Sequence, residues 1–525
     1  MGIYLNPNNE MLRQDRSARI FVDKSMMISE LNELVNTREK FVCISRPRRF
    51  GKSMAGNMIA AYYSKGCDSR ELFTDLKIAK EKSFEKYLNR LNVIKIDLNG
   101  KYMSLKDKSL LIDSITESVK DELKEQFSHI KILKKDSLAD TLLKVYAKSG
   151  ESFAIIIDEY DVLVREKVPE TLFNEYLVFL NSLFKNSTLS PAISLAYLTG
   201  ILPIVRDKIQ SKLNLFTEYS MTNPVNLAEF VGFTAEETQR LCEQYGMDYE
   251  ECKRWYDGYD LKTVKEIFSP RSVVSAMMNR EYGSYWTQTG SYEALKHYIL
   301  MNFKGMRDDV VTMMGGGKVD VNVYKYLNTM TDFHSKDDVF TYLIHLGYLA
   351  YDRETRQCYI PNREIREQWV FSVEYEEDYA PIIKLVDDSK QLLEATLNKD
   401  EEAVANALTE AHIHATSPLT YNNEASFQSA IGLAYFYANL KYTVIKELPT
   451  GKGYADLALI PYVPNIPAMI IELKNNKSAE SAINQIKEKK YDDLLEHYRG
   501  DLLFVGINYD PDTKGHQCKI EQLTI

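Results

Sequence analysis

Apolar runs separated by amphipathic stretches fill residues 1–222 of the chain. The runs begin at Phe41, Leu91, Ser152 and Ser194, and helical patterns lie between them. The third run, Ser-Phe-Ala-Ile-Ile-Ile-Asp, has no polar alternation, which is typical of a strand buried on both faces. Strands separated by helices predict a parallel sheet with crossover helices. We therefore expect an α/β domain in this region.

The pattern changes after this region. Residues 223–362 are mostly helical in pattern, with an aromatic-rich turn (Arg-Trp-Tyr-Asp-Gly-Tyr-Asp) and a short strand pair over 347–351 and 357–361. Residues 363–410 show charged amphipathic helices, which we interpret as a connector. Residues 411–525 are predicted to form a second α/β unit. Its elements, in order, are a helix, strands over 443–448, 455–461 and 467–473, a helix over 479–497 and a strand over 501–507.

The overall composition is that of an ordinary globular protein. The chain has 525 residues, of which 45% are hydrophobic and 27% are charged, and these values exclude collagen-like, disordered and coiled-coil classes. Acidic residues outnumber basic ones by 75 to 65, which gives a formal net charge of −10. This charge argues against a protein that coats nucleic acid over its whole surface, although it allows a locally basic groove.

The cysteines and the N-terminus indicate a cellular compartment. The six cysteines are widely and irregularly spaced, without a CxxC pair, as expected for free thiols in a reducing environment. The N-terminus lacks a signal-peptide pattern, and no apolar run approaches the ~18–20 residues that a membrane helix needs. We therefore expect a cytoplasmic protein with no membrane partner.

A candidate phosphate-binding loop follows the first predicted strand and opens a helix. In this position backbone N–H groups at a helix N-terminus face a phosphate. Lys52 is expected to reach the β- and γ-phosphates and Ser53 to hold Mg²⁺. The GxxxxGK[ST] pattern fails at its first position, where Arg46 replaces Gly, and an ordinary Gly-Lys-Ser turn is the alternative. The loop residues are Arg46, Pro47, Arg48, Arg49, Phe50, Gly51, Lys52 and Ser53.

A second candidate element ends the third predicted strand with adjacent carboxylates. Asp158 is expected to hold Mg²⁺ through water, and Glu159 to orient and deprotonate the attacking water. Ligands bind at the carboxyl edge of such a sheet, where the phosphate-binding loop also lies. Thr199, at the end of the fourth strand, is a candidate sensor of the γ-phosphate. The alternatives are solvated acids and an ordinary strand-end hydroxyl.

Several motifs together resemble the bacterial AAA-ATPase-like family, whose members commonly carry a C-terminal PD-(D/E)XK nuclease-superfamily domain. The motifs are GIYLNPNNE, FVDKSMMI, RPRRFGKS, IIIDEYD, TGILPI, FTEYSM and WYDGY. The resemblance implies ATP binding by the loop lysine and serine, and hydrolysis supported by the two strand-end carboxylates. It also implies that an Arg-rich loop replaces the usual first Gly. Asp23 and Lys24 match the DKS motif near the N-terminus. Arg206 is a candidate arginine finger by position only, and a solvated arginine is the preferred interpretation.

A candidate metal site lies in the C-terminal unit. Glu472 and Lys474 are two residues apart on one apolar strand, so they share a face. Asp456 lies on the preceding strand, its expected hairpin partner. Two carboxylates and the Leu473 carbonyl form a hard-oxygen site suited to Mg²⁺ or Mn²⁺, where a metal lowers the pKa of a bound water. Lys474 is placed to orient that water or to neutralise developing charge. An ordinary hairpin with a Glu/Lys pair is the alternative.

This D-x15-E-x-K arrangement resembles the PD-(D/E)XK nuclease core over about residues 415–510. Glu424 matches the upstream acidic residue that often contributes to the metal site in that superfamily. Gln485 matches a glutamine carried by the helix after the core. The resemblance implies a restriction-endonuclease-like fold.

The combined interpretation is an α/β protein with four regions. These are a P-loop parallel-sheet ATPase core (1–222), a helical lid or winged-helix-like region (223–362), a helical connector (363–410) and a nuclease-like domain (411–525). We expect ATP and Mg²⁺ (or Mn²⁺) as cofactors, DNA as a partner in a local basic groove, and possible homo-oligomers. The expected function is ATP hydrolysis coupled to a DNA endo- or exonuclease. The alternative is a nucleotide-switched regulatory or assembly NTPase whose nuclease-like domain only binds nucleic acid or a partner.

Overall fold

A five-stranded parallel sheet of order β2-β3-β4-β1-β5 organises the N-terminal part of the computed structural model. Every residue of β1, β3 and β4 is buried, which explains their uninterrupted apolar sequences. The predicted parallel sheet is confirmed. Its fifth strand, three residues of which only the last is fully buried, was not predicted. The strands are β1 (Phe41–Ser45), β2 (Asn92–Asp97), β3 (Phe153–Asp158), β4 (Ile193–Gly200) and β5 (Thr217–Tyr219).

The structure describes most of the chain. The described residues are 2–204, 215–286, 292–301, 303–324, 326, 333–373, 380–414, 431–432, 434–450, 453–461, 465–489 and 501–524. They fall into two compact units. One consists of residues 1–291, 302–306 and 318–365, and the other of residues 292–301, 307–317 and 366–525.

Helices flank the parallel sheet and dominate the middle of the chain, as the sequence pattern predicts. Two of them begin with a capping box, formed by Ser137 with Asp140 and by Thr234 with Glu237, which satisfies free N–H groups at each start. The helices up to residue 256 are α1 (Glu10–Arg16), α2 (Met26–Leu34), α3 (Lys52–Tyr63), α4 (Phe84–Tyr87), α5 (Leu98–Ser104), α6 (Leu111–Gln126), α7 (Leu138–Ser149), α8 (Val162–Arg165), α9 (Glu170–Phe184), α10 (Ala235–Tyr245) and α11 (Tyr249–Tyr256).

The later helices include those of the region 363–410, for which charged helices were predicted. They are α12 (Pro270–Asn279), α13 (Tyr292–Ile299), α14 (Met306–Met314), α15 (Lys336–Leu346), α16 (Arg363–Val373), α17 (Ala380–Leu397), α18 (Glu401–His414) and α19 (Ala479–Lys489). Two small antiparallel sheets accompany the middle helices. Their strands are β6 (Phe233–Thr234) with β7 (Ile267–Phe268), and β8 (Val319–Asp320), β9 (Ala350–Asp352) and β10 (Gln357–Tyr359) in the order β8-β10-β9. Within the described parts of the chain, every helix is too short or too polar to span a bilayer.

The C-terminal sheet has the order β11-β12-β13-β14-β15 and is antiparallel except between β13 and β14. One face packs on α17 and α18 and the other on α19. The last strand was not predicted. The strands are β11 (Tyr442–Thr450), β12 (Gly453–Pro461), β13 (Ala468–Asn475), β14 (Asp501–Asp510) and β15 (Gly515–Thr524).

Candidate nucleotide and metal sites

The strand pairing brings the predicted nucleotide-binding residues to one edge of the parallel sheet. Asp158 at the end of β3 pairs with Thr199 on β4. The phosphate-binding loop starts directly after Ser45, which pairs with Gly200. Because β4 lies between β3 and β1, Thr199 stands between the strand-end carboxylates and the loop.

The loop backbone adopts two left-handed conformations before α3 begins. Arg49 has φ +68° and Gly51 has φ +90°. Glycine adopts such angles at little cost, whereas other residues rarely do. The loop thus turns sharply just before Lys52, the first residue of α3.

Lys52 is buried within its own loop. Its Nζ donates to the carbonyl oxygens of Arg46 at 3.0 Å and of Pro47 at 2.8 Å. Burial lowers the pKa of Lys52 to about 8, although Asp161 and Asp158 favour its charged form. The two carbonyl oxygens are neutral acceptors. Phosphate oxygens placed against Lys52 would instead give its ammonium negatively charged acceptors, which form stronger hydrogen bonds.

Ser53 and Asp158 supply neighbouring oxygens where a nucleotide-bound Mg²⁺ is expected. The Ser53 hydroxyl interacts with the Asp158 carboxylate by hydrogen bonding. Burial raises the pKa of Asp158, and this hydrogen bond opposes the shift. The two side chains, one from α3 and one from β3, fit the hard-oxygen preference of Mg²⁺.

Glu159 is held by Arg165, which lies outside the sequence motifs of the nucleotide site. Glu159 has φ +52°, and its Oε2 accepts a hydrogen bond from Nη2 of Arg165. Arg165 also approaches Asp161, with 3.3 Å between Nε and Oδ2. Asp161 and Arg165 are four residues apart, a spacing at which opposite charges meet on a helical turn. That spacing was the available sequence signal.

The loop arginines have different surroundings. The Arg46 side chain is fully buried and donates through Nη1 to the carbonyls of Ser45 and Tyr219, which ties the loop to β5. Without a carboxylate partner, burial lowers the pKa of Arg46 to about 10. Arg48 is exposed. Arg49 donates to the carbonyls of Tyr285 and Trp286, at 2.9 Å each.

Pro47 and Phe50 pack against the middle of the chain. The Phe50 ring meets the rings of Tyr259 and Trp286 edge-on. A Cβ added at Gly347 would lie 2.8 Å from the Pro47 side chain, so only glycine allows this approach. Tyr259 of the WYDGY motif and Trp286 therefore pack against the loop.

The DKS motif anchors the N-terminal segment. Lys24 Nζ contacts Glu237 Oε2 at 2.5 Å and the Glu229 carbonyl at 2.6 Å. Asp23 accepts hydrogen bonds from the backbone N–H groups of Ser25 and Lys77, both at 2.8 Å. In this structure the motif thus joins distant segments of the first unit.

In the second unit, four predicted residues meet on β12, β13 and α19. Lys474 Nζ lies 3.1 Å from Glu472 Oε1 and 2.6 Å from Gln485 Oε1, and Gln485 Nε2 donates to Glu472 Oε1. Asp456 Oδ2 accepts the backbone N–H of Leu473 at 2.7 Å, which places its carboxylate beside Glu472. Glu424 lies outside the described residues, as does Arg206.

The cluster provides hard-oxygen ligands of the kind that a divalent cation needs. Glu472 is 2% exposed, and its Oε2 is buried without a hydrogen-bond partner in the structure. Burial, followed by the neighbouring Asp456, raises the pKa of Glu472 to about 7, while Lys474 opposes the shift. A cation would satisfy the unpartnered oxygen and offset both effects. Among the described residues, no group of three or more His, Cys, Asp or Glu side chains is arranged to hold a metal ion, and the described part of this site supplies two carboxylates.

Comparison with known proteins identifies two domains. Residues 8–210 match the model of a family described as predicted AAA-ATPase, and residues 422–518 match the PD-(D/E)XK nuclease superfamily. The chain therefore carries an AAA-ATPase-like domain followed by a nuclease-superfamily domain, and this predicted order is confirmed. No curated protein matches the chain significantly.

The solved structures that resemble the chain do so weakly. Cdc6p from Pyrobaculum aerophilum is 9% identical, covers 71% of this chain and 98% of its own, and has a TM-score of 0.28. The ORC2 protein of Aeropyrum pernix, in ADPNP and ADP complexes, is 9% identical, covers 70% of this chain and 98% of its own, and has a TM-score of 0.28. The ORC1 protein of the same organism, in complex with DNA, is 12% identical, covers 72% of this chain and 99% of its own, and has a TM-score of 0.24. Similarity at this level bears on neither the function nor the ligands of this chain.

Proposed function

We propose that the chain binds and hydrolyses ATP at its N-terminal site and hydrolyses DNA phosphodiesters at its C-terminal site. The observation that carries the nuclease assignment is the buried, unpartnered Oε2 of Glu472, held beside Asp456 and Lys474. An ionised oxygen at such a position is stabilised by a cation, and a nuclease of this superfamily uses one there.

At the ATP site, each role follows from position. Lys52 binds the β- and γ-phosphates after leaving the loop carbonyls, and Ser53 and Asp158 hold Mg²⁺ on the nucleotide. Glu159 orients and deprotonates the attacking water, and Thr199 contacts the γ-phosphate. The fully buried Arg46 side chain contributes by fixing the loop against β5.

At the nuclease site, Asp456 and Glu472 hold the divalent cation. When bound, that cation would lower the pKa of a water and stabilise charge on a phosphoryl oxygen. Lys474 donates to the phosphate or to the attacking water as negative charge develops. Gln485 bonds both Glu472 and Lys474, so it fixes their relative position.

A local basic surface allows an acidic chain to bind DNA. Several lysines on the strands and helix of the C-terminal domain are candidates for such a surface, although the whole chain has a net charge of −10. Binding confined to one groove is expected to weaken steeply with added salt. The described lysines of this group are Lys441, Lys446, Lys474, Lys477, Lys487 and Lys489.

A cleavage assay on the full chain tests the nuclease assignment. The protein with Mg²⁺ or Mn²⁺ should nick or cut single-stranded, duplex or branched DNA, and Lys474→Ala should abolish cutting while leaving ATP hydrolysis. Lys519→Ala is the matched control, since Lys519 pairs with Glu401 on another part of the second unit. Undiminished cutting by Lys474→Ala would remove Lys474 from the site. DNA binding without cutting by the wild type would favour the regulatory alternative.

The ATP site has its own test. Lys52→Ala should abolish ATP binding, because it removes the ammonium at the start of α3 that is proposed to bind the β- and γ-phosphates. An unaltered ATP affinity in this variant would remove Lys52 from the site. Repeating the cleavage assay with and without ATP shows whether the nucleotide gates the nuclease.

A further inference from the structure

A short backbone segment of the middle region holds the phosphate-binding loop through Arg49. Arg49 Nη1 donates to the carbonyl oxygens of Tyr285 and Trp286, at 2.9 Å each. Arg49 also has the left-handed angle φ +68°, which costs energy in a non-glycine residue and persists where the surroundings hold it. Residues 285–286, termed the carbonyl clamp, provide such a hold, because they bind the side chain of the residue that has the unfavourable backbone angle.

The N–H groups of the carbonyl clamp point to a buried carboxylate. Glu364 Oε1 accepts the backbone N–H of Tyr285 at 2.6 Å and that of Trp286 at 2.7 Å. The other oxygen, Oε2, accepts the hydroxyl of Ser272 at 2.7 Å. Glu364 is the second residue of α16 and is 1% exposed. Its carboxylate is therefore fixed in the interior, with two successive N–H groups converging on one oxygen.

The carbonyl clamp thus lies between a carboxylate and a guanidinium. Hydrogen bonds from N–H groups to a carboxylate, and from a guanidinium to carbonyls, are charge-assisted and stronger than neutral ones. Each polarises the peptide groups of the clamp in the direction that strengthens the other. Loss of the negative charge of Glu364 would therefore weaken both sets of bonds and loosen the carbonyls that hold Arg49.

The side chain of Trp286 gives the clamp a second contact with the loop. Its ring meets the Phe50 ring edge-on, with 6.5 Å between the centroids, and meets the Tyr348 ring edge-on at the same distance. Phe50 directly follows Arg49 in the loop. A displaced clamp would therefore move two successive loop residues, just before the turn that leads into α3 at Lys52.

We propose that Glu364 is a positioning residue for ATP, which holds the carbonyl clamp so that Arg49 and Phe50 keep the phosphate-binding loop in its nucleotide-binding conformation. The inference rests on the proposed ATP binding at this loop and deepens it. Glu364 acts on the loop through its hydrogen bonds to the clamp. Its loss should therefore change the affinity for ATP and leave the hydrolysis step unchanged, since the groups proposed for hydrolysis lie at the ends of β3 and β4.

Titration of the full chain with ATP tests the positioning role. Glu364→Gln keeps the size of the side chain and one oxygen for the clamp but removes the charge. It should raise the Kd of ATP by about three- to tenfold, the difference expected between charge-assisted and neutral hydrogen bonds. The kcat of ATP hydrolysis should stay within about twofold of the wild-type value. Glu281→Gln, which alters an exposed carboxylate shortly before Tyr285, is the matched control and should leave both constants unchanged. A purely structural role would lower the melting temperature and leave the Kd of the folded protein unaltered.

A double-variant cycle tests whether Glu364 acts through Arg49. Arg49→Met removes the donor to the clamp and should weaken ATP binding. Adding Glu364→Gln should then cause no further loss, because the clamp no longer has an arginine to hold. If the two losses multiply instead, Glu364 does not act through Arg49 and the proposal is overturned. If Glu364→Gln fails to fold, Glu364→Asp, whose shorter side chain withdraws the carboxylate from the clamp, is judged by the same criteria.

Hydrogen–deuterium exchange of the ATP-free chain separates this inference from the proposed function. Peptides covering residues 41–55 should exchange faster in Glu364→Gln than in Glu281→Gln, because the loop is held less firmly. A wild type that binds ATP, with an equal Kd in folded Glu364→Gln, would overturn the positioning role and leave the ATPase standing. A wild type that binds no ATP, with faster loop exchange in Glu364→Gln, would overturn the proposed ATP binding and support the hold on the loop. No ATP binding together with unchanged exchange would overturn both.

Discussion

Removing the charge of Glu472 is expected to stabilise the metal-free protein at alkaline pH and to abolish its response to divalent cations. Glu472 is 2% exposed, and its pKa is raised to about 7 by burial and by Asp456. Glu472→Gln keeps the size of the side chain and an oxygen for Lys474 and Gln485. It removes only the negative charge of the carboxylate, whose Oε2 has no hydrogen-bond partner in the structure.

The magnitude follows from the pKa. A carboxyl whose pKa rises from 4.5 to about 7 carries roughly 3 kcal/mol of unfavourable free energy when ionised. Because the folded pKa is the higher one, the folded state binds more protons, so stability is greatest below pH 4.5 and falls as the pH rises through 7. Relative to Glu472→Gln, the wild type should lose roughly 1–3 kcal/mol between pH 5 and pH 8, allowing for relaxation around the ionised group.

Hydrogen–deuterium exchange of peptides from β12 and β13 measures this local stability within the full chain. Exchange is followed with EDTA at several pH values between 5 and 8, after correction for the intrinsic rates. Added Mn²⁺ should restore protection to the wild type at pH 8 and leave Glu472→Gln unchanged. Glu480→Gln, an exposed carboxylate on α19, is the control. If protection from exchange falls with rising pH no more steeply in the wild type than in Glu472→Gln, the reasoning is refuted.

Three substitutions in the first unit give further checks. Gly51→Ala forces a non-glycine residue to φ +90°, so ATP affinity measured by titration should fall and stability should drop by about 1–2 kcal/mol. Gly200→Ala places a methyl group 2.5 Å from Asp161 Oδ1, and the melting temperature should fall in line with an overpacking cost of about 1–3 kcal/mol. Lys24→Met leaves the partly buried Glu237 without its cation, so urea unfolding should show a loss of about 1–3 kcal/mol. The double variant that also carries Glu237→Gln should recover part of that loss.

The sheet core was predictable because strands buried on both faces leave a continuous apolar signature. β1, β3 and β4 were found this way, and their bounds in the structure differ from the predicted ones by a residue or two at most. β5 was missed because Thr217 and Glu218 are polar and only Tyr219 is fully buried. This strand forms through its pairing with β1. The two strands are far apart in the sequence, so no pattern of neighbouring residues could predict the pairing.

The C-terminal sheet shows the same limit. Its first four strands follow apolar runs, but β15 alternates polar and apolar residues and pairs with β14 alone, at the sheet edge. An edge strand buries one face at most, so its pattern is weaker. The predicted meeting of Asp456 with Glu472 was accessible only through the hairpin spacing of β12 and β13.

The sequence by itself determined the periodicity of the elements, the order of the two domains and the positions of the motif residues at strand ends. These properties are local, because a few neighbouring residues set each of them. Tertiary structure alone decided which side chains face one another. It buried Arg46 beneath its loop, left Glu472 Oε2 without a partner and tied Glu159 to Arg165. Such contacts depend on how strands and helices pack in three dimensions, and packing joins residues that carry no shared signal along the chain.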